Sequence, residues 1–109
     1  MSLEELLFKY CNENGLPVFP SEIESLDFII GESTGVMVRD WNRALGFNVV
    51  ILAERLKKQY HELSEVIIFT NTCSAPAESL AKRIGVPLFR HWELSLQTRN
   101  RRKDDERSY

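Results

Sequence analysis

The segment that most constrains the fold is Glu65–Thr70, which reads EVIIFT. Its apolar residues stand at consecutive positions, so a strand formed here would carry apolar side chains on both faces. Such strands are typical of the interior of a sheet that has helices on both sides, where parallel strands are common. The segment therefore predicts a central, partly parallel strand.

Helical patterns lie on either side of this strand. Apolar residues recur at helical spacing over Asn48–Leu63, which predicts a long helix before the strand. After it, Pro76 suits a first helical turn, and Ala77–Ile84 continues the helix until Gly85. Helices that alternate with strands favour an α/β sheet with crossover connections.

The chain begins with a third helical pattern. Ser2 and Glu5 have the spacing of a capping box, and apolar residues then recur at helical intervals up to Gly15. These features predict a first helix of about three turns. The segment Pro17–Pro20 has no clear period and is interpreted as an irregular link.

Four shorter segments complete the predicted elements. Leu26–Ile30 and Val36–Val38 are β-prone and are joined by a glycine-containing turn, which predicts a hairpin. Val86–Phe89 predicts a last strand, at a sheet edge because it contains a proline. Trp92–Leu96 is interpreted as the start of a final helical turn. The predicted order is α-β-β-α-β-α-β.

Length and composition predict one globular domain over residues 1–96, followed by a charged and flexible tail over residues 97–109. No apolar run approaches the ~18 residues of a membrane span, and the N-terminus lacks a signal-peptide pattern. Cys11 and Cys73 lack the spacing of a metal-binding pair. We therefore expect no membrane partner and a cytoplasmic protein, or a nuclear one in a eukaryote.

The net charge of −2 does not favour a chain that is basic overall and binds polyanions through its whole surface. A local basic face remains an option. Its candidates are Arg39, Arg43, Lys57, Lys58, Lys82, Arg83 and Arg90, together with the basic cluster between residues 99 and 103.

Two segments resemble the Mrr-like branch of the restriction-endonuclease-like (PD-(D/E)XK) nucleases. They are VRDWNRALGFNVV at Val38–Val50 and IIFTNTCSAPAESLAKRIGVPLF at Ile67–Phe89. In that family an aromatic residue, basic residues and a glycine lead into a long helix, and a later strand ends in small polar residues before an alanine-rich helix. The resemblance covers nearly residues 1–96. It implies an αβββαβ-type core, a mixed sheet flanked by helices.

The resemblance also implies where a nuclease site would lie. Members of the family hydrolyse phosphodiesters with a divalent cation that carboxylates of the hairpin hold, and a lysine lies two residues after the second ligand. Asp27 matches the first carboxylate, and Glu4 or Glu5 matches an assisting acidic residue of the first helix. The second ligand position falls on Met37, although Mg²⁺ prefers oxygen ligands. The lysine position falls on Arg39, which does not release its proton.

These departures favour a catalytically degenerate nuclease-fold module that needs no cofactor. We expect such a module to associate with DNA or RNA, or to be a subunit of a DNA- or RNA-processing assembly. One alternative is an active Mg²⁺-dependent endonuclease in which Asp27, a first-helix glutamate and Asp40 supply oxygens. The other is a protein-interaction or dimerisation module without nucleic acid, which the net charge of −2 supports. A homodimer or a larger assembly is compatible with all three.

Asp27 has two competing interpretations. Asp27 is either a metal ligand or the partner of Arg39 in an ion pair across the hairpin, and Met37 makes the ion pair the favoured interpretation. Alternation along a strand would place Met37 and Arg39 on one face and Asp40 on the other.

The predicted nucleic-acid-binding set is Arg39, Trp41, Arg43, Lys82 and Arg83. The cations are candidate phosphate ligands, although solvated or ion-paired arginines need no ligand. Trp41 is a candidate for stacking on a base, although an aromatic residue beside a sheet is more often packed against its neighbours.

Overall fold

A five-stranded mixed sheet flanked by helices forms the frame of the protein. The structure is a computed structural model, and it describes residues 2–41 and 43–90. Its helices are α1 (Leu3–Glu13), α2 (Phe47–Gln59) and α3 (Ala75–Ile84), and its strands are β1 (Val18–Pro20), β2 (Phe28–Ile30), β3 (Thr34–Arg39), β4 (Glu65–Thr70) and β5 (Leu88–Arg90). The α/β class, with a mixed sheet and helices on both sides, is thereby confirmed.

The strands lie in the sheet in the order in which they occur in the chain. β1, β2 and β3 are antiparallel to one another, whereas β3, β4 and β5 are parallel. α2 connects β3 to β4, and α3 connects β4 to β5, as parallel neighbours require a crossover. The prediction that Glu65–Thr70 is a central and partly parallel strand is confirmed.

Each face of the sheet has its own apolar core. Because side chains alternate along β4, Ile67 and Phe69 pack toward α1, whereas Val66 and Ile68 pack toward α2 and α3. β3 alternates in the same way, with Val36 on the α1 face and Met37 on the other. These alternating contacts explain why the strands are apolar at consecutive positions.

The predicted helix boundaries hold where a cap defines them. The Ser2 hydroxyl accepts from the Glu5 N–H at 3.2 Å, and α1 begins directly after it. The Ser74 hydroxyl likewise accepts from the Ala77 N–H at 3.2 Å. Gly85 ends α3 with a φ of +77°, a conformation that glycine adopts without steric cost.

The helix predicted over Asn48–Leu63 is shorter than its apolar period. α2 ends at Gln59, after which the Leu63 N–H donates to the Tyr60 carbonyl in a tight turn at 3.0 Å. The turn brings Leu63 into the core of the α2 face, where it is buried. Its side chain therefore continued the apolar pattern without continuing the helix.

The prediction that Pro17–Pro20 is an irregular link was wrong. Val18–Pro20 forms β1, which pairs with β2 in the register Val18↔Ile30. β1 lies at an edge of the sheet, where the missing N–H of Pro20 can be tolerated. A strand of three residues that ends in proline carries almost no period, so only the pairing partner reveals it.

Some predictions fall on parts of the chain that are not described. The helical turn predicted at Trp92–Leu96 and the tail over residues 97–109 lie outside the described residues. Within residues 2–41 and 43–90, none of the helices has both the length and the apolar character needed to cross a bilayer.

Candidate functional site

The candidate site lies where the parallel strands β3 and β4 end next to each other. Arg39 and Thr70 are register partners, so the segments that leave these two strands begin side by side. In open α/β sheets, ligands bind beyond the carboxyl ends of parallel strands. We call the residues gathered here the carboxyl-edge cluster; they are Asp27, Arg39, Asp40, Trp41, Arg43 and Asn71.

Arg39 is held on several sides within this cluster. Its Nη1 donates to Asp27 Oδ2 at 3.0 Å and to the Val38 carbonyl at 3.1 Å, and its Nη2 donates to the Ser25 carbonyl at 3.1 Å. Only 16% of its side-chain surface is exposed. The ion pair predicted between Asp27 and Arg39 is therefore present, and the guanidinium group is engaged by the protein itself.

The backbone around Asp27 reinforces this ion pair. Asp27 Oδ2 also accepts from the Val38 N–H at 2.7 Å, so one carboxylate oxygen joins the strand backbone to the guanidinium group. Ser25 has a φ of +76°, which is uncommon for a residue other than glycine. This conformation accompanies a carbonyl that accepts from Arg39, and such local strain persists only where surrounding contacts enforce it.

The residues at the metal positions that the resemblance implies do not fit a Mg²⁺ site. Met37 has no exposed surface and belongs to the core between the sheet and α2, so it offers no oxygen ligand. Arg39 places its own positive charge 3.0 Å from Asp27 Oδ2, where it would repel a Mg²⁺ ion bound to that carboxylate. In the part of the chain that the structure describes, no three or more His, Cys, Asp or Glu residues group as a set of metal ligands.

The two other carboxylates of the migrated-site alternative have different surroundings. Glu5 lies in the first turn of α1, on the face of the sheet opposite to Met37, and its side chain is exposed. Asp40 Oδ1 accepts from Asn71 Nδ2 at 2.6 Å, so this carboxylate is held toward the end of β4. Asp27, in contrast, is held by the backbone and guanidinium group of β3.

Trp41 is flanked by two guanidinium groups. The Cζ atom of Arg43 lies 4.6 Å from the centroid of the indole ring, and that of Arg39 lies 5.9 Å from it. Both distances fall within the range of cation–π attraction. Trp41 is half-buried and packs against the core of the α2 face. The indole ring of Trp41 thus makes cation–π contacts with the guanidinium groups of both arginines.

Arg43 differs from Arg39 in its exposure and its partners. Its side chain is exposed, and among the described residues no carboxylate lies within ion-pair distance of it. Its guanidinium group lies over the Trp41 ring, and the side chain remains exposed to solvent. Arg43 is therefore the cation of the cluster that is best placed to meet an anionic ligand.

The structure divides the predicted nucleic-acid-binding set between two edges. α3 starts beyond the carboxyl end of β4 and runs back along the sheet, so Lys82 and Arg83 in its last turn lie at the opposite edge. Lys82 Nζ lies 3.6 Å from Glu78 Oε1. Cations in a last helical turn also complement the helix dipole, which explains them without a ligand. Lys82 and Arg83 therefore do not extend the carboxyl-edge cluster.

Asn71 is the member of the cluster that the sequence reading missed. Its Nδ2 donates to Asp40 Oδ1 and, at 3.2 Å, to the Trp41 carbonyl, and so ties the ends of β3 and β4 together. In the sequence, Asn71 begins the polar segment Asn71–Ser74 between β4 and α3. A signal was present, because polar residues that follow two neighbouring parallel strands meet at one edge.

Comparison of the chain with protein family models, with curated proteins and with solved structures found no match.

Proposed function

We propose that the protein is a catalytically degenerate nuclease-fold module that associates with nucleic acid through its carboxyl-edge cluster. The order of elements supports this proposal, because α1, β1, β2, β3, α2 and β4 follow one another as in the αβββαβ core that the resemblance implies. Asp27 directly precedes β2, and Met37 and Arg39 lie at the end of β3. These are the places at which the resemblance implies the ligands and the lysine of a nuclease.

The observation that carries the proposal is the 3.0 Å ion pair between Asp27 and Arg39. Arg39 supplies the positive charge beside Asp27 that a bound Mg²⁺ ion would supply in a nuclease. Unlike a metal ion, this charge is a permanent part of the chain. The pair therefore makes metal-dependent hydrolysis by Asp27 unfavourable while it keeps the local backbone of the fold in place.

Nucleic-acid association is supported by Arg43 and Trp41. The guanidinium group of Arg43 lies over the indole ring of Trp41 in an exposed position, and the N–H donors of a guanidinium group suit the oxygens of a phosphate. Such a contact would bind the backbone of DNA or RNA and would not read its sequence. A module of this kind would act in the cytoplasm, or in the nucleus of a eukaryote, alone or in a processing assembly.

A metal titration tests the degenerate site. Mg²⁺ and Mn²⁺ would be titrated into the protein and into Asp27→Asn by calorimetry, with Asp40→Asn as a matched loss of a carboxylate from the same cluster. We expect no saturable binding to any of the three proteins. Saturable binding to the protein that is lost only in Asp27→Asn would overturn the proposal and favour the active endonuclease.

A nucleic-acid titration tests the association. Fluorescently labelled duplex DNA, single-stranded DNA and RNA would be titrated at two salt concentrations. We expect binding to at least one of them, and weaker binding at the higher salt concentration because phosphate contacts release counterions. Absence of binding to all three at low salt would contradict the association.

The second candidate function is a protein-interaction module, which exposed apolar side chains favour. Phe19 on the edge strand β1 is 53% exposed, and Phe8 on α1 is 41% exposed. Sedimentation analysis over a range of protein concentrations distinguishes a homodimer from a monomer. A dimer that does not bind nucleic acid would favour this candidate over the first.

A further inference from the structure

A cavity of about 300 Å³ lies on the face of the sheet that α1 covers in part. Leu16 borders it on the side of α1, and Ile67, Phe69 and Phe89 form its apolar floor along β4 and β5. Leu16 is 38% exposed although it lines this space. We call it the α1-side cavity.

The two ends of the cavity differ in polarity. Phe69 and Phe89 are register partners near the carboxyl ends of β4 and β5, and their rings stack at a centroid distance of 5.5 Å. Glu65, the first residue of β4, lines the opposite end together with Glu32 from the turn before β3. The cavity is therefore apolar toward the carboxyl edge and acidic toward the amino edge.

The chain leaves the described structure beside the apolar end. β5 ends at Arg90, one residue after Phe89, and the sequence continues for 19 residues, from 91 to 109. α2 and α3 already cover the other face of the sheet. The last described residues thus bring the chain to the cavity, because Phe89 lines it and Arg90 follows directly.

The sequence after Arg90 has the same order of polarity as the cavity. Its first part contains the large apolar residues Trp92, Leu94 and Leu96. Its next part contains the basic residues Arg99, Arg101, Arg102 and Lys103. An apolar segment followed by a basic segment would meet first the phenylalanines and then the glutamates.

The segment after Arg90 is also long enough to span the sheet along β4. β4 has six residues and spans about 17 Å between its ends. The nine to thirteen residues that separate Arg90 from positions 99–103 cover about 14–20 Å at a rise of 1.5 Å per residue, and more if the chain is extended. The basic residues can therefore reach Glu32 and Glu65 while the apolar residues lie over Phe69 and Phe89.

We propose that residues 92–103 of the same chain bind in the α1-side cavity. The side chains of Trp92, Leu94 and Leu96 fill its apolar floor, and the basic residues after them face Glu32 and Glu65. This intramolecular binding site does not depend on the proposed association with nucleic acid.

Trp92 is the probe for this proposal, because the chain contains only one other tryptophan, Trp41. In the full-length Trp41→Phe variant, all indole emission comes from Trp92. We expect emission at shorter wavelength, and several-fold weaker quenching by acrylamide, than for the same variant unfolded in guanidinium chloride. In the unsubstituted protein, we expect NMR cross-peaks between the Trp92 indole and the Phe89 ring, with Trp92→Phe to assign the indole signals.

Matched variants test which surface protects Trp92. Leu16→Glu places a charge in the cavity, whereas Phe47→Glu changes a similarly exposed apolar residue at the start of α2. Glu32→Lys reverses the charge at the acidic end, and Glu22→Lys makes the same change at an exposed residue outside the cavity. In the Trp41→Phe background, we expect Leu16→Glu and Glu32→Lys to increase the quenching of Trp92 by acrylamide. The controls Phe47→Glu and Glu22→Lys should leave that quenching unchanged.

Three outcomes would overturn the proposal. One is quenching of Trp92 as strong in the folded protein as in the unfolded one. Another is protection that neither cavity variant changes. The third is protection that rises with protein concentration together with the molecular mass, because the occupant would then be a second copy of the chain. If Trp41→Phe does not fold, the NMR cross-peaks in the unsubstituted protein decide, and their absence contradicts the proposal.

Discussion

At the scale of single residues, two side chains of β3 that are two positions apart have different surroundings. Met37 is completely buried, whereas two residues later Arg39 reaches the edge of the sheet and pairs with Asp27. Both side chains lie on the same face of β3, because they are two residues apart, and β3 ends at Arg39. β3 therefore runs from the apolar core into the polar cluster at the edge of the sheet.

Replacement of Arg39 by alanine tests the structural role of the ion pair. The Asp27 carboxylate and the Ser25 carbonyl would lose a charged donor, so the free energy of unfolding should fall by about 1–2 kcal/mol. The estimate is at the lower end for charged hydrogen bonds because 40% of the Asp27 side chain is exposed to solvent. Chemical denaturation measures the change.

Arg55→Ala is the matched control for this prediction. Arg55 is an exposed cation within α2, and its loss should change the free energy of unfolding by less than about 0.5 kcal/mol. Equal effects of the two substitutions would show that the contacts of Arg39 do not stabilise the fold.

At the scale of elements, close approach to a neighbouring segment decides which residue a strand can contain. Gly35 in β3 pairs with Ile29 in β2 and with Val66 in β4. A Cβ atom at Gly35 would lie 2.9 Å from Leu26 Cδ1 and 3.4 Å from Leu26 Cδ2. Leu26 is itself buried in the core of the α2 face, so it has little space into which to move.

Gly35→Ala should therefore destabilise the protein. Overpacking of a core by one methyl group costs about 1–3 kcal/mol when a buried neighbour must shift. Gly46→Ala is the control, because no atom lies within 4 Å of a Cβ atom built there. Thermal unfolding of both variants checks the prediction, and a Gly35→Ala variant as stable as Gly46→Ala would contradict the tight contact with Leu26.

At the scale of the whole molecule, the crossovers through α2 and α3 separate the basic residues. Arg43 lies beyond the carboxyl end of β3, whereas Lys82 and Arg83 lie at the far end of α3. A ligand at the carboxyl-edge cluster would be separated from α3's last turn by the ~15 Å length of that helix.

Arg43→Ala and Lys82→Ala should therefore differ in their effect on nucleic-acid binding. Loss of a phosphate contact at Arg43 should weaken binding and lower the slope of the logarithm of affinity against the logarithm of salt concentration by about 1. Lys82→Ala should leave both quantities unchanged. Equal losses in the two variants would indicate binding through net charge and not through the cluster.

Sequence patterns alone determined the class of the fold and most of its elements. The apolar run in β4, the helical periods, and the caps at Ser2 and Ser74 depend on residues a few positions apart, so they can be read directly from the chain. The ion pair between Asp27 and Arg39 was also foreseen as one of two interpretations, because a hairpin brings its strands together.

Only the tertiary structure decided which distant residues meet. β1 exists because Val18–Pro20 finds β2, and Asn71 joins the cluster because β3 and β4 are parallel in one register. The separation of Lys82 from Arg43 follows from the direction of α3 across the sheet. Such contacts depend on strand register and on crossover paths, which the packing of the entire core sets and which no local period of the sequence encodes.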